Sequence, residues 1–160
     1  MGVCKYGYNK ARKNKPYYKS CGDDNKTTKV YNTWFNMMRR CYNPNCEDYE
    51  LYKDCTVCKS WHNFQNFAEW WESNYYEIEG ERMSLDKDII KKDNKIYSPS
   101  TCCIVPDKLN TAFTSKSYGT IKKAYEKYKN YLPEHIDIAI RKRLWRMGGK
   151  EYRPNKEKIW

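Results

Sequence analysis

The sequence predicts an α+β chain that is mainly helical and carries one small strand–loop–strand–helix motif. Three observations predict it. Apolar residues recur at i, i+3, i+4 and i+7 in several stretches, which is helical spacing. Residues 83–90 and 102–105 break that period with short apolar runs on either side of a polar turn. Proline, glycine and asparagine punctuate the chain between these stretches.

Taken in order, residues 1–27 mix Lys, Asn, Tyr and Gly without a period and predict an irregular basic arm. A helix is predicted from Thr28. It places Tyr31, Trp34, Phe35 and Met38 on one face and Arg39 and Arg40 in the last turn, with Asn43-Pro44-Asn45 as its stop. Residues 46–60 predict a loop with a short extended piece. A second helix is predicted near 62–74, with Phe64, Phe67 and Trp71 on one stripe and Trp61 and Trp70 adding bulk; these are core residues. Residues 83–90 predict a strand, 91–95 a polar turn, 96–100 an extended link and 102–105 a short buried strand. Pro106-Asp107 opens a helix with Leu109 and Phe113 turned inward. A helix near 119–131 aligns Ile121, Tyr125 and Tyr128. The last begins at Pro133-Glu134, aligns Ile136, Ile140 and Leu144, and stops at Gly148-Gly149. The sequence holds no internal repeat and no low-complexity segment.

The chain has 160 residues, which suits one domain or one domain with an appendage. With 16% aromatics, it has enough apolar area to offset chain entropy, so a disordered basic tail is excluded. No apolar run approaches the roughly 18–20 residues of a membrane span. The first residues carry charge without a following apolar segment, so no secretory leader is expected. A cytoplasmic protein is therefore expected, and its eight cysteines (4, 21, 41, 46, 55, 58, 102 and 103) are expected as thiols or metal ligands rather than disulfides.

Net charge is +11 and unevenly spread: +6 over residues 1–30, −4 over 31–80, +2 over 81–116 and +7 over 117–160. Two basic flanks around a near-neutral centre suit an anionic polymer held by its ends. DNA is the expected partner, and no membrane is expected.

The most informative stretch is 85–110. It reads Leu85-Asp86-Lys87-Asp88-Ile89-Ile90, a polar turn, Tyr97-Ser98-Pro99-Ser100-Thr101-Cys102, then Val105-Pro106-Asp107-Lys108-Leu109-Asn110. In a compact hairpin followed by a helix, Asp86 on the first strand and Asn110 on the first helical turns can face one another. A carboxylate and an amide oxygen are hard ligands suited to Mg²⁺ (or Mn²⁺), which also takes phosphate.

This segment resembles the ββα-metal motif of HNH (His-Me finger) endonucleases. In that family the first strand ends in Asp-His, a middle Asn braces the loop, and a late Asn or His sits on the helix. The wider pattern resembles phage-encoded HNH-like proteins: Tyr31-x-x-Trp34, Met37/Met38-x-Arg40-Cys41-Tyr42, Tyr52-x-Asp54-x-x-Val57-Cys58-x-x-Trp61-x-x-Phe64-x-x-Phe67-x-x-Trp70, Leu85-Asp86-Lys87-Asp88-Ile89, Tyr97-Ser98-Pro99, Cys102 and Asn110. The resemblance covers about residues 28–113. It implies a basic arm (1–27), an HNH-like core (28–116) and a helical basic appendage (117–160), encoded by phage or prophage. An APETALA-type DNA-binding domain often follows in that group. Here only its closing helix has a counterpart, in Ala124-Tyr125-x-x-Tyr128-Lys129.

The resemblance implies Asp86 and Asn110 as metal ligands of a phosphodiester hydrolase. It also exposes a departure: Lys87 stands where the family has its general-base His. A base must take a proton near pH 7, and Lys87, a catalytic candidate with Asp86, Asp88 and Asn110, would need its pKa lowered by about three units from the ordinary lysine value to serve as one. Two routes remain: direct activation of water by the metal, or Asp88 as the base. The middle Asn has no evident counterpart, with Ser100 or Thr101 in its place. His62 and His135 are expected as structural or exposed.

Cys55-x₂-Cys58 with Cys41 and Cys46 is a candidate Cys₄ zinc knot, and burial as small hydrophobes is the competing explanation. Cys102 and Cys103, adjacent on a strand, point to opposite faces and cannot share one ion easily. Lys91, Lys92, Lys95 and Lys108 are placed to meet phosphates, and Arg12, Lys13, Lys15, Arg141, Lys142, Arg143 and Arg146 would add non-specific affinity. Tyr17 and Tyr18 are candidates for base stacking, with a solvated arm as the alternative.

Two functions are therefore expected to compete. One is a metal-dependent HNH-like DNA endonuclease. The other is a catalytically dead HNH-derived protein that binds DNA or a host defence nucleoprotein complex, in the manner of a CRISPR nuclease inhibitor (anti-CRISPR). A purely structural zinc-stabilised binding module is a third.

Overall fold

In the computed structural model, which describes residues 6–154, the elements run in chain order α1 (Lys29–Tyr42), α2 (Tyr49–Tyr52), β1 (Thr56–Val57), a 3-10 turn (Lys59–His62), α3 (Phe64–Asn74), β2 (Met83–Asp86), β3 (Ile96–Tyr97), β4 (Cys103–Pro106), α4 (Asp107–Thr114), α5 (Tyr118–Tyr128), α6 (Glu134–Arg146) and a closing 3-10 turn (Lys150–Tyr152). The chain is α+β and about 48% helical, with two small sheets. No helix among the described residues is long and apolar enough to cross a membrane.

The elements form two compact units. The first runs to Tyr75 and includes Lys95–Ser100; the second takes Tyr76–Asn94 and everything from Thr101. The stretch 28–116 is thus shared between both units: β3 folds with the first, and β2 and β4 fold with the C-terminal helices.

In the first unit, Thr28 Oγ1 accepts from the Tyr31 N–H and caps α1. Its apolar stripe buries Tyr31, Trp34, Met37, Met38 and Cys41. Asn63 caps α3, which buries Phe64, Phe67 and Trp71. Trp61 meets Phe67 edge-on at 4.9 Å, and Trp34 Nε1 donates to the Trp61 carbonyl at 2.7 Å. β1 and β3 pair in parallel, Thr56 with Ile96 and Val57 with Tyr97.

The N-terminal arm is irregular but fastened. Its Lys10 N–H donates to Asn63 Oδ1 and its Tyr18 N–H to Gln65 Oε1; Gln65 Nε2 in turn donates to Asn9 and to the Tyr18 carbonyl. Gly7 is required there, because a Cβ would stand 2.7 Å from both the His62 carbonyl and the Trp34 ring. Sequence periodicity gives no sign of these ties, since amides supply them. The four-residue helix α2 also interrupts the loop expected over 46–60.

In the second unit, β2 and β4 pair antiparallel from Met83–Pro106 to Asp86–Cys103, and α4 follows β4 without a linker. Ser84 Oγ donates to Asp107 Oδ1 at 2.7 Å, tying β2 to the first turn of α4. Helices α5 and α6 complete a core of Ile89, Val105, Leu109, Phe113, Ile121, Tyr125, Ile140, Leu144 and Tyr152. The strand expected over 83–90 ends at Asp86, because that side chain turns back to bind the N–H groups of residues 88 and 89.

Candidate functional site

The end of β2 collects ionisable and amide side chains that a packed core ordinarily excludes. Asp86 is 7% exposed, Lys87 9% and Asn94 6%. They stand in or beside the turn that links β2 to the rest of the chain.

Asp86 Oδ2 accepts from Asp88 N at 2.8 Å and Ile89 N at 2.6 Å. Both donors are backbone groups, and among the described residues no cation forms an ion pair with the carboxylate. Burial pushes its carboxyl up to about 6, against the two N–H groups that favour the anion; the Asp88 charge adds to the rise and Lys87 opposes it. The Cys103 thiol, paired across the strands from Asp86, is pushed well up by burial, with Asp86 and Cys102 adding to the shift.

Lys87 turns its Nζ to Asp88 Oδ2 at 2.8 Å, and that carboxylate is 44% exposed. As an ion-paired ammonium, Lys87 has no lone pair for a proton. The Lys87 carbonyl accepts from Asn94 Nδ2 at 3.0 Å. Asn94 thus ties the turn to the Lys87 backbone, where the sequence shows no evident counterpart to the family's middle Asn and places Ser100 or Thr101 in that region. Ser100 is exposed, and Ser98 and Ser100 hydrogen-bond to each other in the first unit, whereas Asn94 is buried. The only local signal is an Asn closing a lysine-rich turn, just after Asp93 at φ 57°.

Arg143 is the second residue that sequence reasoning misplaces. It belongs to the basic end of α6, yet Nη1 donates to the Asp88 carbonyl at 2.7 Å and the Ile89 carbonyl at 3.2 Å, and the guanidinium lies over Phe113. Burial pulls its pKa down. Its spacing carried the signal, for it falls on the same stripe as Ile136 and Ile140. Arg141 also faces inward, toward the Tyr125 hydroxyl and the Tyr152 ring. Of the other α6 cations, Lys142 is half-buried and Arg146 exposed; with His135 they line a cleft of about 300 Å³ beside Ile90.

Asn110 sits half-buried on the first turns of α4 and makes no hydrogen bond to Asp86, Lys87 or Asp88 among the described residues. Lys91, Lys92, Lys95 and Lys108 are exposed. His62 is a structural cross-link: Nδ1 faces the Tyr6 carbonyl, and Nε2 faces the Val57 carbonyl and the Tyr42 hydroxyl. In the arm, Arg12 binds Asn66 and Glu69, Lys15 reaches Glu69 at 3.5 Å, Lys13 and Tyr17 are exposed, and Tyr18 is half-buried.

Cys41, Cys46 and Cys55 are buried and Cys58 is half-buried beside Ser60. Among the described residues, no three His, Cys, Asp or Glu side chains group closely enough to hold a metal ion. Cys4 lies outside the described residues. No family model, curated protein or solved structure matches the chain.

Proposed function

We propose that the chain is an HNH-like, metal-dependent DNA endonuclease whose reaction centre is the β2–α4 end of the second unit. The observation that carries this is Asp86: a buried carboxylate, oriented by two backbone N–H groups, with its carboxyl pushed up to about 6 by burial. A buried anion without a contacting cation is costly, and a divalent ion relieves that cost. Asp86 and Asn110 offer two hard oxygen donors. That number suits Mg²⁺ completed by phosphate and water better than a closed protein cage. When bound, such an ion supplies Lewis acidity to the scissile phosphate and lowers the pKa of water.

The chain's own groups divide the remaining work. The Asp86 carboxylate and the Asn110 amide oxygen hold the ion. Asn94 and Arg143 fix the turn carbonyls at residues 87 to 89, so the side chains there keep one orientation. Lys87 anchors Asp88 Oδ2, leaving the other Asp88 oxygen to accept a proton from the attacking water. Lys91, Lys92 and Lys108 meet phosphates on either side.

The Lys87–Asp88 ion pair favours a second function, a catalytically silent relative that binds DNA or a host defence nucleoprotein complex. The test is a supercoiled-plasmid assay with Mg²⁺, Mn²⁺ or EDTA. Wild type is expected to nick plasmid only with metal, and Asp86→Ala to leave it intact. Cleavage by Lys87→His alone would identify a disarmed scaffold and transfer the function to binding.

A further inference from the structure

The cleft beside α6 adjoins the reaction centre proposed above and shares only Arg143 with it. It is lined by Ile90, His135, Ile138, Ala139, Lys142, Arg143 and Arg146 and holds about 300 Å³. Its composition is two-sided. Ile90, Ile138 and Ala139 give an apolar floor; Lys142, Arg146 and the imidazole of His135 give a donor-rich rim. No carboxylate lines it. Arg143 connects it to the turn, because the guanidinium that forms part of its wall also holds the Asp88 and Ile89 carbonyls.

We infer that this cleft binds the sugar-phosphate backbone of DNA, with a phosphate on Lys142 and Arg146 and the apolar edge of a deoxyribose on Ile90 and Ile138. Charge complementarity selects an anion. The apolar floor selects one that carries hydrocarbon beside its charge, which distinguishes a phosphodiester chain from free phosphate. The volume is of the order of one nucleotide unit. Phosphate contacts of this kind position a duplex without reading its sequence. A backbone held here would lie next to the Asp88–Ile90 turn, so the contact would register the strand relative to Asp86. The inference rests on DNA being the ligand, as proposed above, but not on cleavage.

Binding of a fluorescent short duplex, followed by anisotropy in EDTA, tests it apart from catalysis. The Lys142→Gln/Arg146→Gln variant is expected to lose about tenfold or more in affinity and to reduce the slope of log affinity against log salt by roughly 1, since one neutralised phosphate contributes about 0.9. Lys123→Gln/Lys150→Gln removes the same charge from exposed positions outside the cleft and is expected to change the slope by much less. Ile138→Asp, which puts a carboxylate on the floor, is expected to weaken binding although both cations remain. Circular dichroism and thermal melts confirm that each variant is folded. If the two charge variants weaken binding equally, the basic surface acts as a whole and the cleft is not a site. If wild type binds DNA and the cleft variants match it, the cleft is overturned while DNA binding stands. If wild type does not bind duplex at all, both this inference and the DNA endonuclease fail. If an acidic peptide competes as well as DNA, the ligand is a protein and the inference fails.

Discussion

The two units bury polar groups in different ways. In the first, the buried polar side chains are Asn63 and Gln65, and both are neutral. Each makes several hydrogen bonds, and apart from the Asn63 cap on the Gln65 N–H these fasten the N-terminal arm to α3. In the second, the buried polar side chains are Asp86, Lys87 and Asn94, and all three lie within nine residues of one turn. Neutral amides satisfy a backbone at little electrostatic cost, so the first arrangement is explained by folding alone. A buried carboxylate bound only by backbone N–H groups is not, because folding would be served better by a neutral group there. The contrast separates a unit whose buried polar groups folding explains from one whose buried carboxylate is the reason for the proposed site.

The largest effect expected lies in the first unit. Trp34→Ala empties a fully buried site and orphans the Trp61 carbonyl. A loss of about 3–5 kcal/mol is expected, read from the urea midpoint, and a loss under about 1 kcal/mol would mean that the aromatic cluster is not the anchor of that unit.

The next effect has the opposite sign and belongs to the second unit. The Asp86 carboxyl sits near 6 in the fold against 3.8 for the ordinary side chain. The folded state therefore holds the proton more tightly. The stability this contributes is complete below about pH 4 and is lost as pH rises through about 6, an upper bound of about 3 kcal/mol. Asp86→Asn keeps an oxygen for the two N–H groups and removes the charge. It is expected to flatten the profile between pH 4 and 6 and to be as stable as wild type, or more so, at pH 7 while losing cleavage. Equilibrium unfolding across that pH range checks it; a variant less stable than wild type at pH 7 would make Asp86 a structural residue. Mg²⁺ with DNA present is expected to stabilise wild type more at pH 7 than at pH 5, because ion and proton compete for the same carboxylate.

The sequence made the helices legible and the site only half so. Helical periodicity located α1, α3, α4, α5 and α6 because each has a clear apolar stripe, and stripes are local. Asp86 was singled out because it follows a short apolar run and precedes a turn. Asn94 and Arg143 were not, for a physical reason. Asn94 lies seven residues from the carbonyl it binds, and Arg143 reaches 55 residues back to Asp88. No local pattern encodes a bond of that span. The α6 cluster also holds more than its charge shows: Arg141 and Arg143 read as cations for phosphate, and in the fold both guanidinium groups lie over aromatic rings and bind groups of the fold itself. The arm hides its ties too, because amide hydrogen bonds tether it without any apolar period.

The arm gives the next step down in magnitude. Asn63→Ala removes the acceptor for the Lys10 and Gln65 N–H groups and the donor to the Lys10 carbonyl. A loss of about 1–3 kcal/mol is expected. Limited trypsin digestion is expected to cut faster at the arm's basic residues, with α5 and α6 unaffected. Equal acceleration in both units would mean that the arm holds more than its own unit together.

The smallest effect is the one that ties loop order to chemistry. Asn94→Ala deletes the donor to the Lys87 carbonyl, and a stability loss near 1 kcal/mol is expected. Stability is not the informative readout. Arg143 still holds the carbonyls at 88 and 89, so the turn should stay closed while the backbone at 87 is released. Hydrogen exchange is expected to rise at residues 87–94 and nowhere else, and plasmid nicking to fall well beyond what the stability change explains. If exchange rises and nicking does not change, the brace serves the fold, and the orientation of Lys87 and Asp88 does not matter to the reaction. If nicking falls in step with global stability alone, Asn94 belongs with Asn63 as a neutral amide satisfying a backbone, and the contrast between the units narrows to Asp86.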